Sequence, residues 1–252
     1  MKGRVKMGKV AEKEYEVHYY EVDYKRRVLL TSIMNYFNDI CTEQSDKLGI
    51  SIDFMKEKGI AWIIYKWDID IKRYPVYGEK IKVGTEPYSF RKFYAYRKFW
   101  IEDEAGSIIV TANTVWFLID TARRKPLRVS ENMYDAFGVS PDKNDALDIR
   151  KLSVPGDTDL VREFSVRYSD IDTNNHVNNV NYAAWVLETV PPQVAMKYAL
   201  KNISLVYEKE TFYGEVIKVC TSTEDLVDGA LCSHKILDKE GDILNIAETR
   251  WG

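Results

Sequence analysis

An internal repeat is the feature of this 252-residue sequence that most restricts its fold. Residues 77–83, YGEKIKV, recur as residues 213–219, YGEVIKV, displaced by 136 positions. Residues 112–116, ANTVW, recur as residues 247–251, AETRW, displaced by 135 positions. Two matches in the same order and at nearly the same displacement predict two copies of one structural unit, joined in tandem.

Each copy combines a helix with strands. Apolar residues recur at helical spacing over 30–41 in the first copy and over 177–187 in the second. Residues 63–71 alternate between apolar and polar side chains, as in a half-buried strand. Aromatic and β-branched residues predict long antiparallel strands over 90–102 and 108–120. The predicted fold class is therefore α+β, with a helix wrapped by a curved antiparallel sheet in each copy. The second helix is expected to present one apolar stripe, formed by Val177, Val180, Ala184 and Leu187.

The segment between the copies is rich in turn-forming residues. Residues 138–157 contain Ser-Pro-Asp and Val-Pro-Gly-Asp, which are typical of a linker. We therefore expect an N-terminal repeat over residues 1–137, a linker over 138–157 and a C-terminal repeat over 158–252.

Composition narrows the class of protein. Hydrophobic residues make up 45% of the chain and charged residues 30%, as in ordinary globular proteins. The net charge of −3 argues against a nucleic-acid-binding protein, and no apolar run is long enough to cross a membrane. The N-terminus lacks the apolar region of a signal peptide, and the three cysteines show no metal-binding spacing. We expect a cytoplasmic protein without metal or cofactor, either a monomer or a homodimer.

An unusual polar stretch stands before the helix of the second copy. The eleven residues DTNNHVNNVNY hold one aspartate, five asparagines and one of the three histidines. Such residues favour turns and helix N-termini, where free backbone N–H groups can stabilise negative charge. If the stretch is extended, Asp172, Asn174 and His176 lie on one side and indicate a catalytic site. Of Asn178 and Asn179, one is expected to cap the helix and the other to lie in a turn. The first copy lacks this motif, so we expect a single active site, in the second copy.

This motif and its neighbours resemble the acyl-ACP thioesterases of plants and bacteria. Residues 172–191, DTNNHVNNVNYAAWVLETVP, are similar to the Asp-x-Asn-x-His-Val-Asn-Asn motif in the second hotdog repeat of that family. Residues 73–78, 121–126 and 207–210 are similar to further segments of the family. The resemblance covers about residues 15–251, and it implies a tandem (double) hotdog fold and hydrolysis of fatty acyl-ACP thioesters.

The resemblance also implies roles for individual residues. Its catalytic residues would be Asp172, Asn174, His176 and Glu210. Thr211 stands where the plant enzymes have a cysteine once proposed as a nucleophile, and a threonine without a dedicated base is a weak nucleophile. We therefore expect water to attack the thioester, assisted by Glu210 and His176, with Asn174 and helix N-terminal N–H groups stabilising the oxyanion. Substrate binding is assigned to Asn178, Asn179, Thr211, Trp62 and Trp67.

An acyl carrier protein is the partner that the resemblance implies. Arg123, Arg124 and Lys125 would form a docking surface for such an acidic protein, and residues 25–27 are a second basic candidate. Two alternatives to this function stay open. One is an acyl-CoA or aroyl-CoA thioesterase, which relative rates on ACP and CoA thioesters would identify. The other is a non-catalytic hotdog protein that binds acyl ligands without turnover.

Overall fold

The computed structural model describes residues 8–252. The first seven residues of the predicted N-terminal repeat, and most of the segment that bears on a signal peptide, lie outside the described residues. The chain divides into two compact units. The first unit contains the residues up to Tyr65 and Arg73–Ile149, and the second contains Lys66–Lys72 and Arg150–Gly252. The division after Ile149 falls within residues 138–157, and the predicted repeat boundaries stay a prediction.

The first unit combines an antiparallel sheet with helices. Its elements in chain order are β1 (Ala11–Glu16), α1 (Leu30–Lys47), α2 (Ile52–Glu57), β2 (Ile60–Ile71), β3 (Lys80–Arg91), β4 (Tyr94–Glu102), β5 (Ile108–Asp120), β6 (Lys125–Pro126) and α3 (Glu131–Phe137). In the sheet the strands follow the order β1–β3–β4–β5–β2, and β6 pairs with the end of β5. The residues of β2 after Tyr65 belong to the second unit.

The second unit repeats this plan with a shorter main helix. Its elements are β7 (Leu160–Ser165), α4 (Asn179–Leu187), α5 (Pro192–Lys197), β8 (Leu200–Tyr207), β9 (Val216–Leu226), β10 (Gly229–Leu237) and β11 (Ile243–Trp251). The strands follow the order β8–β11–β10–β9–β7, each antiparallel to its neighbour. Residues 66–70 of β2 pair antiparallel with β8.

Each unit buries one face of its main helix. In α1 five residues of the predicted face are buried: Leu30, Ile33, Met34, Phe37 and Ile40. The sixth, Cys41, is only half-buried, and Tyr36 is buried outside that face. In α4 the prediction is wrong in part, because Ala184 and Leu187 are only half-buried. The buried residues of α4 are Val180, Tyr182, Ala183, Trp185 and Val186. The buried face of α4 is therefore wider than the predicted stripe and includes the large rings of Tyr182 and Trp185.

The repeated sequences form the same local structures. Trp116 Nε1 donates to Thr114 Oγ1 at 2.8 Å in β5, and Trp251 Nε1 donates to Thr249 Oγ1 at 2.9 Å in β11. The strand predicted over 108–120 is confirmed as β5. The single strand predicted over 90–102 is wrong at its start, because a tight turn separates β3 from β4. Lys92 closes that turn in a left-handed conformation, with φ of 57°.

Within residues 8–252, none of the helices is long and apolar enough to cross a bilayer.

Candidate active site

The polar stretch before α4 folds into a tight loop. Asp172 N–H donates to the His176 carbonyl at 2.8 Å, and Asn175 N–H donates to the Asp172 carbonyl at 3.1 Å. Asp172 Oδ1 accepts the Asn174 N–H at 2.7 Å, and Asn175 has φ of 63°. The expected extended alternation of Asp172, Asn174 and His176 is therefore wrong. Aspartate bonds to the backbone two residues on, and asparagine tolerates the left-handed region, so both favour a turn here.

The start of α4 is fixed by Asn178. Its Oδ1 accepts the Val180 N–H at 3.1 Å, so Asn178 is the helix cap that one of the two asparagines was expected to provide. Asn179 is the first helical residue and not a turn residue, and its Oδ1 accepts Trp67 Nε1 at 3.3 Å. Asn178 N–H donates to the carbonyl of buried Asp170 at 2.8 Å, which anchors the loop to the interior.

His176 and Glu210 come together across two segments of the second unit. His176 Nε2 lies 3.5 Å from Glu210 Oε2, and both side chains keep about a quarter of their surface exposed, 26% and 25%. Val177 N–H donates to the Thr211 carbonyl at 3.2 Å and so holds the two segments side by side. The ring of Phe212 meets the imidazole edge-on, with 5.3 Å between centroids. A partly exposed imidazole beside a carboxylate is an arrangement suited to proton transfer.

Thr211 faces the interior beside this pair. It is fully buried, and its hydroxyl donates to the Glu215 carboxylate. Glu215 also accepts the Phe212 N–H at 3.3 Å, which closes the turn after Glu210. Burial raises the pKa of the Tyr182 phenol, which receives a backbone hydrogen bond from Thr211. These bonds hold the segment that carries Glu210, and the predicted substrate-binding role of Thr211 stays a prediction.

The other predicted catalytic residues lie on the same loop with different surroundings. Asp172 uses a carboxylate oxygen to hold the Asn174 N–H, so it orders the loop backbone. The Asn174 side chain is exposed. The structure thus brings His176 and Glu210 into contact, and the catalytic roles of Asp172 and Asn174 stay predictions.

The remaining predicted residues are distributed over both units. Trp67 is fully buried in the second unit and is bonded to Asn179. Trp62, in the first unit, stacks on Phe90 with 6.1 Å between centroids. Its Nε1 is buried and has no hydrogen-bond partner among the described residues. The basic docking residues are exposed in the hairpin between β5 and β6: Arg123, Arg124 and Lys125. Within residues 8–252 no group of three or more His, Cys, Asp or Glu residues is arranged to hold a metal ion.

A loop of the first unit, residues 23–27, has the same backbone as the polar loop of residues 172–176, although its sequence did not predict this. Asp23 N–H donates to the Arg27 carbonyl at 2.7 Å, and Arg26 N–H donates to the Asp23 carbonyl at 2.8 Å. Asp23 Oδ1 accepts the Lys25 N–H at 2.8 Å, and Arg26 has φ of 61°. This loop precedes an 18-residue helix, whereas α4 has nine residues. The displacement between the two loops is therefore larger than that between the YGE segments, which hid the match.

The side chains of the loop at residues 23–27 differ from those of the polar loop at residues 172–176. Arg27 takes the place of His176, and Tyr74 takes the place of Glu210. The Arg27 guanidinium lies 5.2 Å from the centre of the Tyr74 ring, and it pairs with Asp23 at 2.9 Å. An arginine does not act as a base at neutral pH, so this copy of the loop lacks the proton-transfer pair.

Two family models together match most of the chain. Residues 8–137 match the acyl-ACP thioesterase N-terminal domain, and residues 155–252 match the acyl-ACP thioesterase C-terminal domain. A chloroplastic acyl-[acyl-carrier-protein] hydrolase of Cuphea viscosissima is 27% identical over 251 residues, with 94% of this chain and 61% of the relative covered. A chloroplastic palmitoyl-acyl carrier protein thioesterase of Arabidopsis thaliana is 25% identical, with 98% of this chain and 65% of the relative covered. The chain thus spans less than two thirds of the length of these relatives.

Solved structures share the fold. The 12:0-ACP thioesterase of Umbellularia californica superposes with a TM-score of 0.85 at 23% identity, covering 96% of this chain and 94% of that one. An acyl-ACP thioesterase of Bacteroides thetaiotaomicron superposes with a TM-score of 0.83 at 19% identity, covering 96% of this chain and 98% of that one. Together with the helix and antiparallel sheet found in each unit, these likenesses confirm the predicted double hotdog fold.

Proposed function

The chain belongs to the acyl-ACP thioesterase family, and on that premise we propose that it hydrolyses fatty acyl thioesters of acyl carrier protein. The products are the free fatty acid and the carrier with its free thiol. The observation that carries this proposal is the contact between His176 Nε2 and Glu210 Oε2 at 3.5 Å, next to the N-terminus of α4. This pair combines a group that accepts a proton with one that can pass it on, beside backbone N–H groups that favour negative charge.

Water is the proposed nucleophile. Its oxygen bonds to the thioester carbonyl carbon while its proton passes to the pair formed by Glu210 and His176. The tetrahedral intermediate then breaks its carbon–sulfur bond, and the leaving thiolate takes up that proton. Thr211 is a poor alternative nucleophile, because its hydroxyl is fully buried and donates to Glu215. General acid–base catalysis by such a pair contributes about 10²- to 10⁴-fold to a rate.

The oxyanion needs hydrogen-bond donors. The N–H of Asn179, at the first position of α4, makes no hydrogen bond to the other described residues. The positive end of the helix dipole supports a developing negative charge at this point. We assign the oxyanion to this N–H, with the Asn174 amide as a second donor. Each donor of this kind contributes about 3–4 kcal/mol in acyl-transfer sites.

The substrate and the setting follow from the same proposal. An acyl carrier protein is the proposed donor of the acyl group, since the two relatives compared above are named for acyl-ACP hydrolysis. A cytoplasmic setting is proposed because the cysteines Cys41, Cys220 and Cys232 are free thiols.

Purified protein assayed on acyl-ACP, by release of the carrier thiol, tests the proposal. His176→Ala and Glu210→Gln should each lower kcat/KM by about 100-fold or more, because each removes one member of the proton-transfer pair. Glu208→Gln is the matched control, since Glu208 is exposed two residues away, and it should keep the parent rate. Undiminished turnover in both pair variants would overturn the assignment of these residues.

Three further measurements separate the alternatives. Thr211→Ala should keep most of the activity, and a near-complete loss would revive a side-chain nucleophile. Hydrolysis rates of the same acyl group on ACP and on CoA identify the carrier. A faster rate on CoA would show that CoA, and not ACP, is the acyl donor. Stoichiometric binding of acyl-ACP without turnover would indicate a binding protein instead of an enzyme.

A further inference from the structure

The first unit presents a set of exposed aromatic and cationic side chains around the loop at residues 23–27, which corresponds to the loop at residues 172–176 of the second unit. We call this the Tyr–Arg surface, and it consists of Tyr19, Tyr20, Tyr24, Arg26 and Tyr77. Three of its tyrosines are exposed to an unusual degree: Tyr19 by 81%, Tyr20 by 76% and Tyr24 by 75%. Together with Val22 and Asp23 these residues line an open cleft of about 540 Å³. A cluster of solvent-exposed aromatic side chains indicates an interaction site.

The cationic part of this surface is available to a partner. The Arg26 guanidinium stacks on the Tyr77 ring, with 5.2 Å to its centre. Within residues 8–252 it forms no ion pair, and its exposed side chain keeps guanidinium donors that a partner can reach. Arg27, in contrast, is half-buried and paired with Asp23 at 2.9 Å, so it holds the loop in place. The loop therefore presents positive charge on a fixed backbone.

The loop at residues 23–27 lacks the pair of side chains proposed for proton transfer in its counterpart. Arg27 and Tyr74 stand at the positions of His176 and Glu210, and a guanidinium beside a phenol does not activate water. The backbone hydrogen bonds are nonetheless the same in the two loops. A retained scaffold with basic and aromatic side chains is suited to recognition and not to catalysis.

We propose that the Tyr–Arg surface docks the acidic face of the acyl carrier protein. This inference rests on the proposed function, because it concerns the protein that delivers the acyl group. Tyrosine and arginine are the side chains most enriched at the energetic centres of protein interfaces. The chain as a whole has a net charge of −3, so an acidic partner needs a local positive surface to approach it.

The basic group on the hairpin between β5 and β6 fits this role less well. Arg123, Arg124 and Lys125 are exposed on a hairpin, but the exposed tyrosines named above belong to the other surface. Charge alone steers an encounter, whereas aromatic rings contribute most of the contact energy once the partners meet. The structure therefore favours the loop at residues 23–27.

Charge reversal on the full-length protein tests the inference. kcat/KM is measured on an acyl-ACP and on the same acyl group as an N-acetylcysteamine thioester, which has no protein carrier. Arg26→Glu should lower the acyl-ACP value by about 10-fold and leave the small-thioester value unchanged. The rate of the parent on acyl-ACP should fall as salt rises, and that of Arg26→Glu should fall less steeply. Arg26→Asn removes the charge but tolerates the left-handed conformation, so its smaller loss reports charge and not turn geometry.

Two further variants carry the same change in net charge. Lys151→Glu alters an exposed residue outside the surface and is the control, which should keep the parent value on acyl-ACP. Arg123→Glu alters the competing docking surface on the hairpin, and its loss on acyl-ACP should be smaller than that of Arg26→Glu. An equal loss in Lys151→Glu, a loss confined to Arg123→Glu, or equal losses on both substrates in Arg26→Glu would each overturn the inference.

Failure of the proposed function gives a different result. In that event the parent does not turn over acyl-ACP, whether or not it cleaves the small thioester. Fluorescence anisotropy of a labelled acyl carrier protein with the parent and with Arg26→Glu then tests the surface by itself. Weaker binding to Arg26→Glu supports docking, and equal affinity of the two proteins overturns it.

Discussion

The buried imidazole of His234 should make the protein less stable as the pH falls. His234 is fully buried in β10, with Nδ1 at 2.9 Å from Thr221 Oγ1 and Nε2 at 3.0 Å from Thr249 Oγ1. Hydroxyl groups satisfy a neutral imidazole, but they do not compensate a buried charge. Burial accordingly lowers the pKa of His234 from 6.5 to about 3.

The sign and size of the effect follow from linkage. Above pH 6.5 His234 is neutral in both the folded and the unfolded state and makes no pH-dependent contribution. Between pH 6.5 and about pH 3 the unfolded state binds a proton that the folded state does not bind, so the free energy of unfolding decreases as the pH falls. At pH 5.0 the loss is about 2 kcal/mol, since each pH unit below 6.5 is worth about 1.4 kcal/mol.

Urea unfolding followed by circular dichroism at pH 8.0 and pH 5.0 measures this loss. His234→Gln should show a difference between the two pH values that is smaller than that of the parent by about 2 kcal/mol, whatever its stability at pH 8.0. If His234→Gln shows the same difference in the free energy of unfolding as the parent, the buried imidazole is not the cause of the pH dependence.

Two further predictions concern stability. Asn178→Ala should lower the free energy of urea unfolding by about 1 kcal/mol through loss of the helix cap, while Asn178→Asp, which keeps the acceptor, should not. An equal loss in both variants would contradict the capping role. Gly84→Ala should cost about 1–3 kcal/mol in the same assay, because a Cβ at Gly84 would lie 2.1 Å from the Trp100 ring. Gly156→Ala has open space around it and should be neutral, and a neutral Gly84→Ala would show that the ring moves aside freely.

Much of the candidate site could be predicted from short stretches of sequence. Asn178 was one of two expected caps, since asparagine directly before an apolar helical pattern favours the cap position. The matching YGE and Trp segments predicted equivalent strands, and the bonds of Trp116 to Thr114 and of Trp251 to Thr249 are the same in the two units. These features depend on neighbouring residues, and neighbouring residues are what a sequence displays.

Other expectations failed where local pattern was ambiguous. Alternation of Asp172, Asn174 and His176 would place them on one side of an extended segment, but the loop turns at Asn175. An Asp side chain that bonds to its own backbone competes with extension, and alternation alone does not decide between the two. The loop at residues 23–27 was not predicted, because its side chains differ from those of its counterpart. The longer helix that follows it also changes the displacement between the two loops.

The sequence by itself was enough to predict the duplication and the helices and strands of each copy. It also predicted that the polar stretch lies at the N-terminus of a helix. Only the tertiary structure decided which distant groups meet. Glu210 reaches His176 because the Thr211 carbonyl accepts the Val177 N–H, a bond between segments that are far apart in the chain. The exposed tyrosines gather around Arg26 in the same way, from separate segments. Periodicity and propensity act over a few residues, whereas contacts of this kind depend on how the whole chain is folded.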